Sequence, residues 1–208
     1  TDGLAGKIIV GHFLFVGGPA HPFRRPEIMR PSETLKGSHM NIRCEIPADY
    51  AAVYRLVQTA FAAAEHSDGK EQDLVAALRQ SRSFVPALSL VAEIEGRLAG
   101  YILFTEIGIG SETALALAPL AVHPDFQRQG VGGRLIQCGH EAARALGYGA
   151  CVVLGSAAYY SKFGYQEAAP LGILPPFEVP SENFMAVALA NKALPQGVVA
   201  YDAAFFTV

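Results

Sequence analysis

A short glycine-rich turn between two arginines is the part of this sequence best suited to do chemistry. Gly130, Gly132 and Gly133 allow the backbone to approach a ligand closely. Arg128 and Arg134 bring positive charge to the same turn. The apolar residues that follow recur at helical spacing, so the free N–H groups and the positive dipole end of a helix should face the turn. Together these features predict an anion site, as found where a helix start binds phosphate.

The helix predicted after this turn begins at Val131. Its apolar stripe comprises Val131, Leu135, Cys138, Ala142 and Leu146. Gly147 is placed to end it, because glycine readily adopts the left-handed conformation that closes many helices. A dinucleotide fingerprint would need a third glycine at position 135 and an acidic residue after the next strand, and neither is present. The lysine of a P-loop is missing as well.

The strand before the turn changes its parity part of the way along. Its large apolar residues Leu115 and Leu117 occupy odd positions, whereas Leu120 and Val122 occupy even ones. Because alternate residues of a strand share a face, the chain must slip by one residue near Ala118-Pro119, which predicts a β-bulge. A bulge leaves backbone groups unpaired and separates neighbouring strands. A splayed strand that leads into an anion site suits a long ligand with a diphosphate at one end and amides along its arm.

Two motifs carry a resemblance to a known family. The pattern Gln127-x-x-Gly130-x-Gly132, after Leu120-Ala121-Val122-x-Pro124, resembles the acetyl-CoA signature of the GNAT superfamily of N-acetyltransferases. Downstream, Tyr159-Tyr160-Ser161-Lys162-Phe163-Gly164-Tyr165 is similar to the second motif of that superfamily. The segments 117–122 and 153–155 are most similar to the YhbS-type predicted acetyltransferases. The resemblance covers residues 41–206.

The resemblance implies both a fold and an activity. The fold would be α/β (α+β), with a mixed, mostly antiparallel twisted sheet, a βαβ acetyl-CoA site and flanking helices. The activity would be acetyl transfer from acetyl-CoA to a primary amine of a small molecule or a protein, by direct attack in a ternary complex. The alternative is a non-catalytic module that binds CoA or acyl-CoA and regulates. The acceptor is not written in the sequence.

The resemblance also implies which residues hold the cosubstrate. The backbone of Leu120, Ala121 and Val122 would pair with the pantetheine arm. The residues expected around the diphosphate are Gln127, Arg128, Gln129, Gly130, Val131, Gly132, Gly133 and Arg134. Taken alone, such glycines also fit a tight strand-to-helix turn, but the bulge and the arginines favour the CoA interpretation. No metal is expected, because the histidines and cysteines lack the spacing of metal ligands.

Tyr160 matches the position of the general acid in the family motif. A tyrosine hydroxyl suits protonation of a departing thiolate, because its unperturbed pKa of about 10 keeps it neutral at physiological pH. Tyr159 would point elsewhere on a helix, so we interpret it as packing or pocket wall. The general base stays open: Glu106 and Glu112 are the nearest carboxylates, and deprotonation through water would need neither.

Composition bounds the remaining expectations. The segment Gly37-Ser38-His39-Met40 resembles a cloning and protease-cleavage remnant, so we interpret residues 1–39 as an expression leader and 40–208 as a single domain. Residues 41–208 carry 11 basic and 16 acidic side chains without a basic run, which argues against nucleic acid as a partner. No apolar stretch is long enough to span a bilayer, so we expect a soluble cytoplasmic protein. A homodimer is left open.

Periodicity and punctuation predict the other elements. The expected strands are 41–46, 88–95, 98–105, 150–154, 183–189 and 198–206, and the expected helices are one with Asp49 as N-cap and one at 71–80. The loop between these helices, with His66, Asp68 and Gly69, is a candidate for acceptor specificity by resemblance. Cys44, Cys138 and Cys151 are odd in number, which predicts reduced, buried thiols.

Overall fold

The computed structural model describes residues 40–62 and 67–207. The interpreted leader 1–39, and His66 in the loop between the first two helices, lie outside these residues. The strands are β1 (Met40–Cys44), β2 (Phe84–Ile94), β3 (Arg97–Ile109), β4 (Glu112–Val122), β5 (Ala150–Leu154), β6 (Gln166–Glu167), β7 (Ile173–Leu174), β8 (Phe184–Ala188) and β9 (Gly197–Ala200). The helices are α1 (Tyr50–Phe61), α2 (Glu71–Leu78), α3 (Val131–Ala145) and α4 (Ala157–Tyr160).

One twisted sheet organises the chain in the order β1-β2-β3-β4-β5-β8-β6. Neighbouring strands along this path run antiparallel, except β4 and β5, which run parallel and are joined by α3. Strand β9 pairs with the far end of β3 and with β7. The expected mixed, mostly antiparallel sheet with one βαβ unit is confirmed.

The bulge predicted in β4 is present at the expected place. Ile102 of β3 faces Leu120, but Phe104 faces Leu117, so Leu103 alone stands opposite the two residues Ala118 and Pro119. The extra residue restores one common face to the strand: Leu115, Leu117, Leu120 and Val122 all pack in the same apolar cluster. The peptide bond between Ala118 and Pro119 is cis. The parity change in the sequence therefore reports a real shift of register.

The sheet is covered on both faces. Helix α3 buries Val131, Leu135 and Ile136 against one face, where Tyr160 and Tyr165 also pack. Helices α1 and α2 bury a second cluster on the other face, which includes Val57, Leu78, Tyr101, Leu103 and Ala121. Full burial of one such aliphatic side chain stabilises the fold by about 1.5–3 kcal/mol. Alternate residues of β3 and β4 thus serve opposite faces, as the pleat requires.

Several expected boundaries differ from the structure. Strands β2 and β3 are longer than the predicted hairpin, and their turn is made by Glu95 and Gly96, both at positive φ. The predicted strand 198–206 is wrong beyond Ala200. The side chain of Asp202 accepts a hydrogen bond from the N–H of Ala204 at 2.9 Å and starts a 3₁₀ turn over Ala203–Phe206. A side-chain cap of this kind competes with continued strand pairing.

Two smaller expectations are also corrected. Asp49 is the N-cap of α1, but its carboxylate pairs with Arg43 at 2.6 Å and accepts from the N–H of Ile46 at 2.9 Å instead of capping the helix. The three cysteines are free as expected, yet only Cys151 is buried; Cys138 is half-buried and Cys44 is exposed.

In residues 40–62 and 67–207, no helix has the length and apolarity to cross a membrane.

Candidate active site

Strands β4 and β5 separate at the bulge. Their parallel pairing is confined to residues 115–117 of β4 and 151–153 of β5. Strand β4 continues beyond this point to Val122 with only β3 beside it. The N–H of His123 donates to the carbonyl of Ala99 in β3 at 2.9 Å, so the alternation along β4 turns the backbone of Ala121 toward β3 and that of Leu120 and Val122 into the opening.

The glycine turn lies at the end of this opening. Gly130 is the N-cap of α3 with φ +85°, and Arg128 is also in the left-handed region at φ +60°. The N–H of Arg134 is the first in this helix to donate to a preceding carbonyl, that of Gly130 at 3.1 Å. The N–H groups of residues 131–133 therefore have no acceptor within the helix. With the exposed Arg128 and Arg134 side chains nearby, the turn has the free N–H groups and positive charge that suit an anion, and anion binding here stays a prediction.

Two glutamine side chains shape the turn from within. The amide nitrogen of Gln127 donates to the carbonyl of Val122 at 3.2 Å, and that of Gln129 donates to the carbonyl of Asp125 at 2.8 Å. Both bonds cross the connection between β4 and α3. The structure therefore gives Gln127 and Gln129 a supporting role for the backbone that surrounds the anion site.

The two motifs singled out in the sequence pack against each other. A Cβ atom at position 132 would lie 2.6 Å from the hydroxyl oxygen of Tyr159. A Cβ atom at position 133 would lie 3.3 Å from the ring of Phe163. A side chain at either position would have to displace the segment after β5, which covers the first turn of α3. Tyr159 thus packs against the first turn of α3, and its place in the wall of an anion site stays a prediction.

Tyr160 lies deeper than Tyr159. It is 1% exposed and stacks edge-on with Tyr159 and Tyr165. Burial, with smaller contributions from Tyr159 and Cys151, raises the pKa of Tyr160 well above its ordinary value. The hydroxyl therefore keeps its proton at any physiological pH. Tyr160 shares its apolar cluster with Leu117 and Val153, the last residues of β4 and β5 that pair with each other.

Beneath these tyrosines lies a chain of buried polar groups. The Tyr165 hydroxyl lies 3.0 Å from Nε2 of His140 in α3 and 3.3 Å from the sulfur of Cys151 in β5. Burial lowers the pKa of His140 to about 4 and raises that of Cys151 to about 12, so both are neutral at physiological pH. These hydrogen-bonded side chains link α3 to β5.

An apolar cleft opens on the other side of the same strand separation. Its floor is the bulged part of β4, residues 116–119, together with residues 152–154 of β5. Its walls are aromatic side chains from the C-terminal part of the chain and two residues of α2: Phe177, Tyr201, Phe205, Phe206, Glu71 and Leu74. Leu117 and Val153 belong both to this floor and to the cluster that contains Tyr160. The cleft and Tyr160 therefore flank the point where the strands part.

Sequence reasoning missed Glu71, which is the charged residue of this cleft. Its side chain is buried at 1% exposure, and burial raises its pKa. Oε2 accepts a hydrogen bond from the Ser67 hydroxyl at 2.9 Å, but Oε1 has no partner in the part of the chain that the structure describes. An acidic residue at the first position of a helix is ordinarily solvated near the positive end of the helix dipole, so its burial could not be predicted from sequence.

The two carboxylates considered as bases from sequence lie elsewhere. Glu106 accepts a hydrogen bond from the Tyr148 hydroxyl at 2.5 Å, beyond the C-terminal end of α3. Glu112 is exposed at the first position of β4, six residues and about 20 Å of strand before Ala118. Neither lines the cleft. The structure brings together Gly132, Gly133 and the tyrosine motif, but it does not bring Glu106 or Glu112 to them.

Comparison with known proteins places this geometry among acetyltransferases. A family model described as an acetyltransferase (GNAT) domain matches residues 86–167. The uncharacterized N-acetyltransferase YjhQ of Escherichia coli K12 is 44% identical over 119 residues, which are 55% of this chain and 66% of YjhQ. The uncharacterized N-acetyltransferase YhbS of the same strain is 34% identical over 132 residues, or 62% of this chain and 75% of YhbS. The chain thus spans about two thirds and three quarters of these relatives.

Two solved structures share the fold at comparable similarity. The crystal structure of YhbS from Escherichia coli in complex with CoA has a TM-score of 0.74 and 29% identity, and the match covers 86% of this chain and 96% of that one. A GNAT family acetyltransferase from Brucella melitensis in complex with acetyl-CoA has a TM-score of 0.68 and 36% identity, with 80% and 98% coverage. The βαβ unit with its bulge and glycine turn falls within residues 86–167.

Proposed function

This chain belongs to the GNAT family of N-acetyltransferases, and we propose that it transfers the acetyl group of acetyl-CoA to a primary amine. The main structural support for this proposal is the opening between β4 and β5, which leads to the N-terminus of α3. An edge of free backbone amides next to an anion site fits a cosubstrate with an amide-containing arm and a diphosphate. The relatives crystallised with CoA or acetyl-CoA support the same ligand here.

The cosubstrate is proposed to lie along β4 with its diphosphate on the glycine turn. The backbone groups of Leu120 and the N–H of Val122 face the opening and would bind the pantetheine arm. Those of Ala121 are directed to β3, and the carbonyl of Val122 accepts from the Gln127 amide. The N–H groups from Val131 to Gly133 would bind the diphosphate, with Arg128 and Arg134 at its rim. This orientation carries the thioester toward Leu117 and Val153, where the cleft begins.

The reaction then needs one nucleophile and two proton transfers. The neutral amine attacks the thioester carbonyl carbon, a C–N bond forms, and the C–S bond breaks. The departing thiolate takes a proton, for which we propose Tyr160 as donor because its hydroxyl stays protonated. The nitrogen loses one proton to a base or to water, so charge and atoms balance. Direct transfer in a ternary complex needs no covalent enzyme intermediate.

A non-catalytic CoA-binding module remains a second candidate because Tyr160 is only 1% exposed. A general acid must reach its thiolate within hydrogen-bond distance, directly or through one water. In a module that only binds CoA, the same tyrosine would be a core residue that packs with Tyr165. The two candidates predict different consequences of removing the hydroxyl.

Tyr160→Phe separates the candidates. We expect the rate of free-thiol release to fall by roughly 10²–10⁴-fold, the range for loss of a general acid, while the affinity for CoA stays unchanged by calorimetric titration. Tyr148→Phe is the matched control, since it removes a hydroxyl that bonds Glu106 beyond the far end of α3. A Tyr160→Phe variant with the wild-type rate would exclude the acid role, and absence of CoA binding by the wild type would exclude both candidates.

A further inference from the structure

The position of Glu71 demands an explanation that the fold does not supply. Glu71 is 1% exposed, and one carboxylate oxygen has no hydrogen-bond partner among the described residues. A buried carboxylate without full pairing destabilises the folded state, because the group loses hydration and gains too few bonds in return. Its neighbour Gln72 also has an unpaired buried oxygen, so two of the three such side-chain atoms in the described chain belong to the first turn of α2.

The surroundings of Glu71 are apolar and aromatic. The Phe177 and Tyr201 rings stack with centroids 5.9 Å apart, and the Tyr201 and Phe205 rings lie 4.9 Å apart. Leu74 and the floor residues of β4 and β5 complete the cleft. Within the lining that the structure describes, Glu71 is the charged side chain and Tyr201 the other titratable group. Asp68, on the loop before α2, adds negative charge near Glu71.

A cleft of this composition selects a cation. A negative carboxylate attracts an ammonium group, aromatic faces add cation–π attraction, and the apolar floor favours a hydrocarbon body. A second carboxylate next to the amine would meet Glu71 and Asp68 and be repelled. A second ammonium would have to be buried against apolar walls without a partner.

We propose that this cleft is the acceptor site, that it takes a primary amine on an aromatic or alkyl body without a neighbouring carboxylate, and that Glu71 binds the ammonium and accepts its proton. This inference rests on the proposed acetyl transfer and names the substrate class and the base for it. Glu71 Oε1 takes one proton from the ammonium, which frees the nitrogen lone pair for attack at the thioester carbonyl. After the C–N bond forms, the nitrogen loses a second proton to water, which balances the proton that Tyr160 gives to the thiolate. The bulge at Ala118 and Pro119 places that carbonyl at the floor of the same cleft.

Burial gives Glu71 the properties of a base. It raises the carboxylate pKa, and a more basic carboxylate takes a proton from an ammonium group more readily. The Ser67 hydroxyl fixes the orientation of the group through Oε2 and leaves Oε1 for the acceptor. The unpaired Oε1 is thus explained as the oxygen that accepts a hydrogen bond from the ammonium group of the bound acceptor.

The test combines an amine panel with one isosteric variant. Free-thiol release is measured with phenethylamine, hexylamine, phenylalanine and spermidine, for the wild-type chain, Glu71→Gln and Asp73→Asn. Asp73 lies on the same helix, its carboxylate accepts from the Tyr54 hydroxyl at 2.7 Å, and it does not line the cleft. Binding of CoA to each protein is measured by calorimetric titration, and thermal unfolding checks that each variant is folded.

The expected result has three parts. The wild type should prefer phenethylamine and hexylamine to phenylalanine and spermidine by at least tenfold in kcat/KM. Glu71→Gln should lower kcat/KM by roughly 10²–10⁴-fold with CoA affinity unchanged, and Asp73→Asn should leave both unchanged. Raising the pH toward the amine pKa of about 10 should recover much of the loss in Glu71→Gln, because the amine then arrives neutral.

Each other outcome overturns the inference in an identifiable way. Turnover of the panel by Glu71→Gln within threefold of wild type would leave acetyl transfer intact and remove Glu71 from it. A preference for phenylalanine or spermidine would be consistent with acetyl transfer but would refute the proposed class of acceptor. A loss in Glu71→Gln that higher pH does not recover would refute the proton-accepting role. CoA binding without thiol release from any amine would refute the inference together with the proposed transfer.

Discussion

Glu45 and Glu71 are two buried carboxylates at opposite ends of α2, and their surroundings differ. The side chain of Glu45 is 1% exposed and is bonded to the guanidinium of Arg79, the C-cap of α2, at 2.5 and 3.2 Å. It also accepts from the Ser89 hydroxyl at 2.7 Å, and Ser89 in turn bonds the Tyr101 hydroxyl at 2.9 Å. Glu71 is buried as deeply, but within residues 40–62 and 67–207 the Ser67 hydroxyl is the one side-chain group that bonds its carboxylate.

The difference separates a structural charge from one available to a ligand. A carboxylate that meets a guanidinium in two bonds and a hydroxyl in a third has most of its acceptor capacity used, so it can hold α2 against β1 and β2. A carboxylate with an unused oxygen in an apolar cleft contributes little to the fold. The His140–Tyr165–Cys151 chain on the α3 face resembles the Glu45 region, since its groups are mutually bonded.

The largest effect on stability is expected when the ion pair between Glu45 and Arg79 is removed. Arg79→Met should lower the free energy of unfolding by about 3–5 kcal/mol, because it leaves the Glu45 carboxylate buried without its cation. Urea unfolding at pH 7 measures the loss. Arg97→Met is the matched control, since the Arg97–Asp125 pair is about 60% exposed on both sides and should contribute at most about 1 kcal/mol. Equal losses in the two variants would mean that burial of the pair does not matter.

A second effect comes from the histidine in the paired network. The folded-state pKa of His140 is about 4, below its ordinary value of 6.5, because burial disfavours the imidazolium form. The unfolded chain therefore binds this proton more readily, and stability is lost as pH falls from about 6.5 to 4, by ~3 kcal/mol in total. Urea unfolding as a function of pH should show this slope.

His140→Gln should reduce the slope of unfolding free energy against pH by the contribution of about one proton. Tyr165→Phe complements it, because it keeps the titrating group but removes the hydroxyl that bonds Nε2. An unchanged pH dependence in His140→Gln would show that the imidazole is not buried in its neutral form.

The bulge and helix α3 could be predicted from sequence, because their signals are local. The parity change between Leu117 and Leu120 predicts the bulge, since side-chain alternation along one strand needs no knowledge of the partner. The spacing from Val131 to Leu146 predicts α3 for the same reason. The cleft could not be anticipated, because its lining brings Glu71 together with Phe177 and Phe205, which lie more than 100 residues away in the sequence. Strand 198–206 failed likewise, because the Asp202 side chain ends the extended segment.

The smallest change in stability is expected at the unpaired carboxylate. Burial raises the folded-state pKa of Glu71 above its ordinary value, so the folded chain binds this proton more tightly than the unfolded chain. The resulting stabilisation is present at low pH, below the ordinary glutamate value of about 4.3, and is lost as pH rises through the folded-state pKa. Glu71→Gln cannot ionise and escapes that loss. The free energy of unfolding of Glu71→Gln should therefore increase relative to that of the wild type as pH rises from 4 to 7, by an amount on the order of 1 kcal/mol.

Urea unfolding of both proteins across this range decides whether the two carboxylates differ. Asp73→Asn is again the control, since its carboxylate is bonded to Tyr54 and should show no such gain. If Glu71→Gln instead lost as much stability as Arg79→Met, Glu71 would be a structural charge like Glu45, and its open oxygen would need no ligand. A variant that gains stability while losing turnover would show that the fold retains Glu71 at a cost, because the acceptor is what completes its pairing.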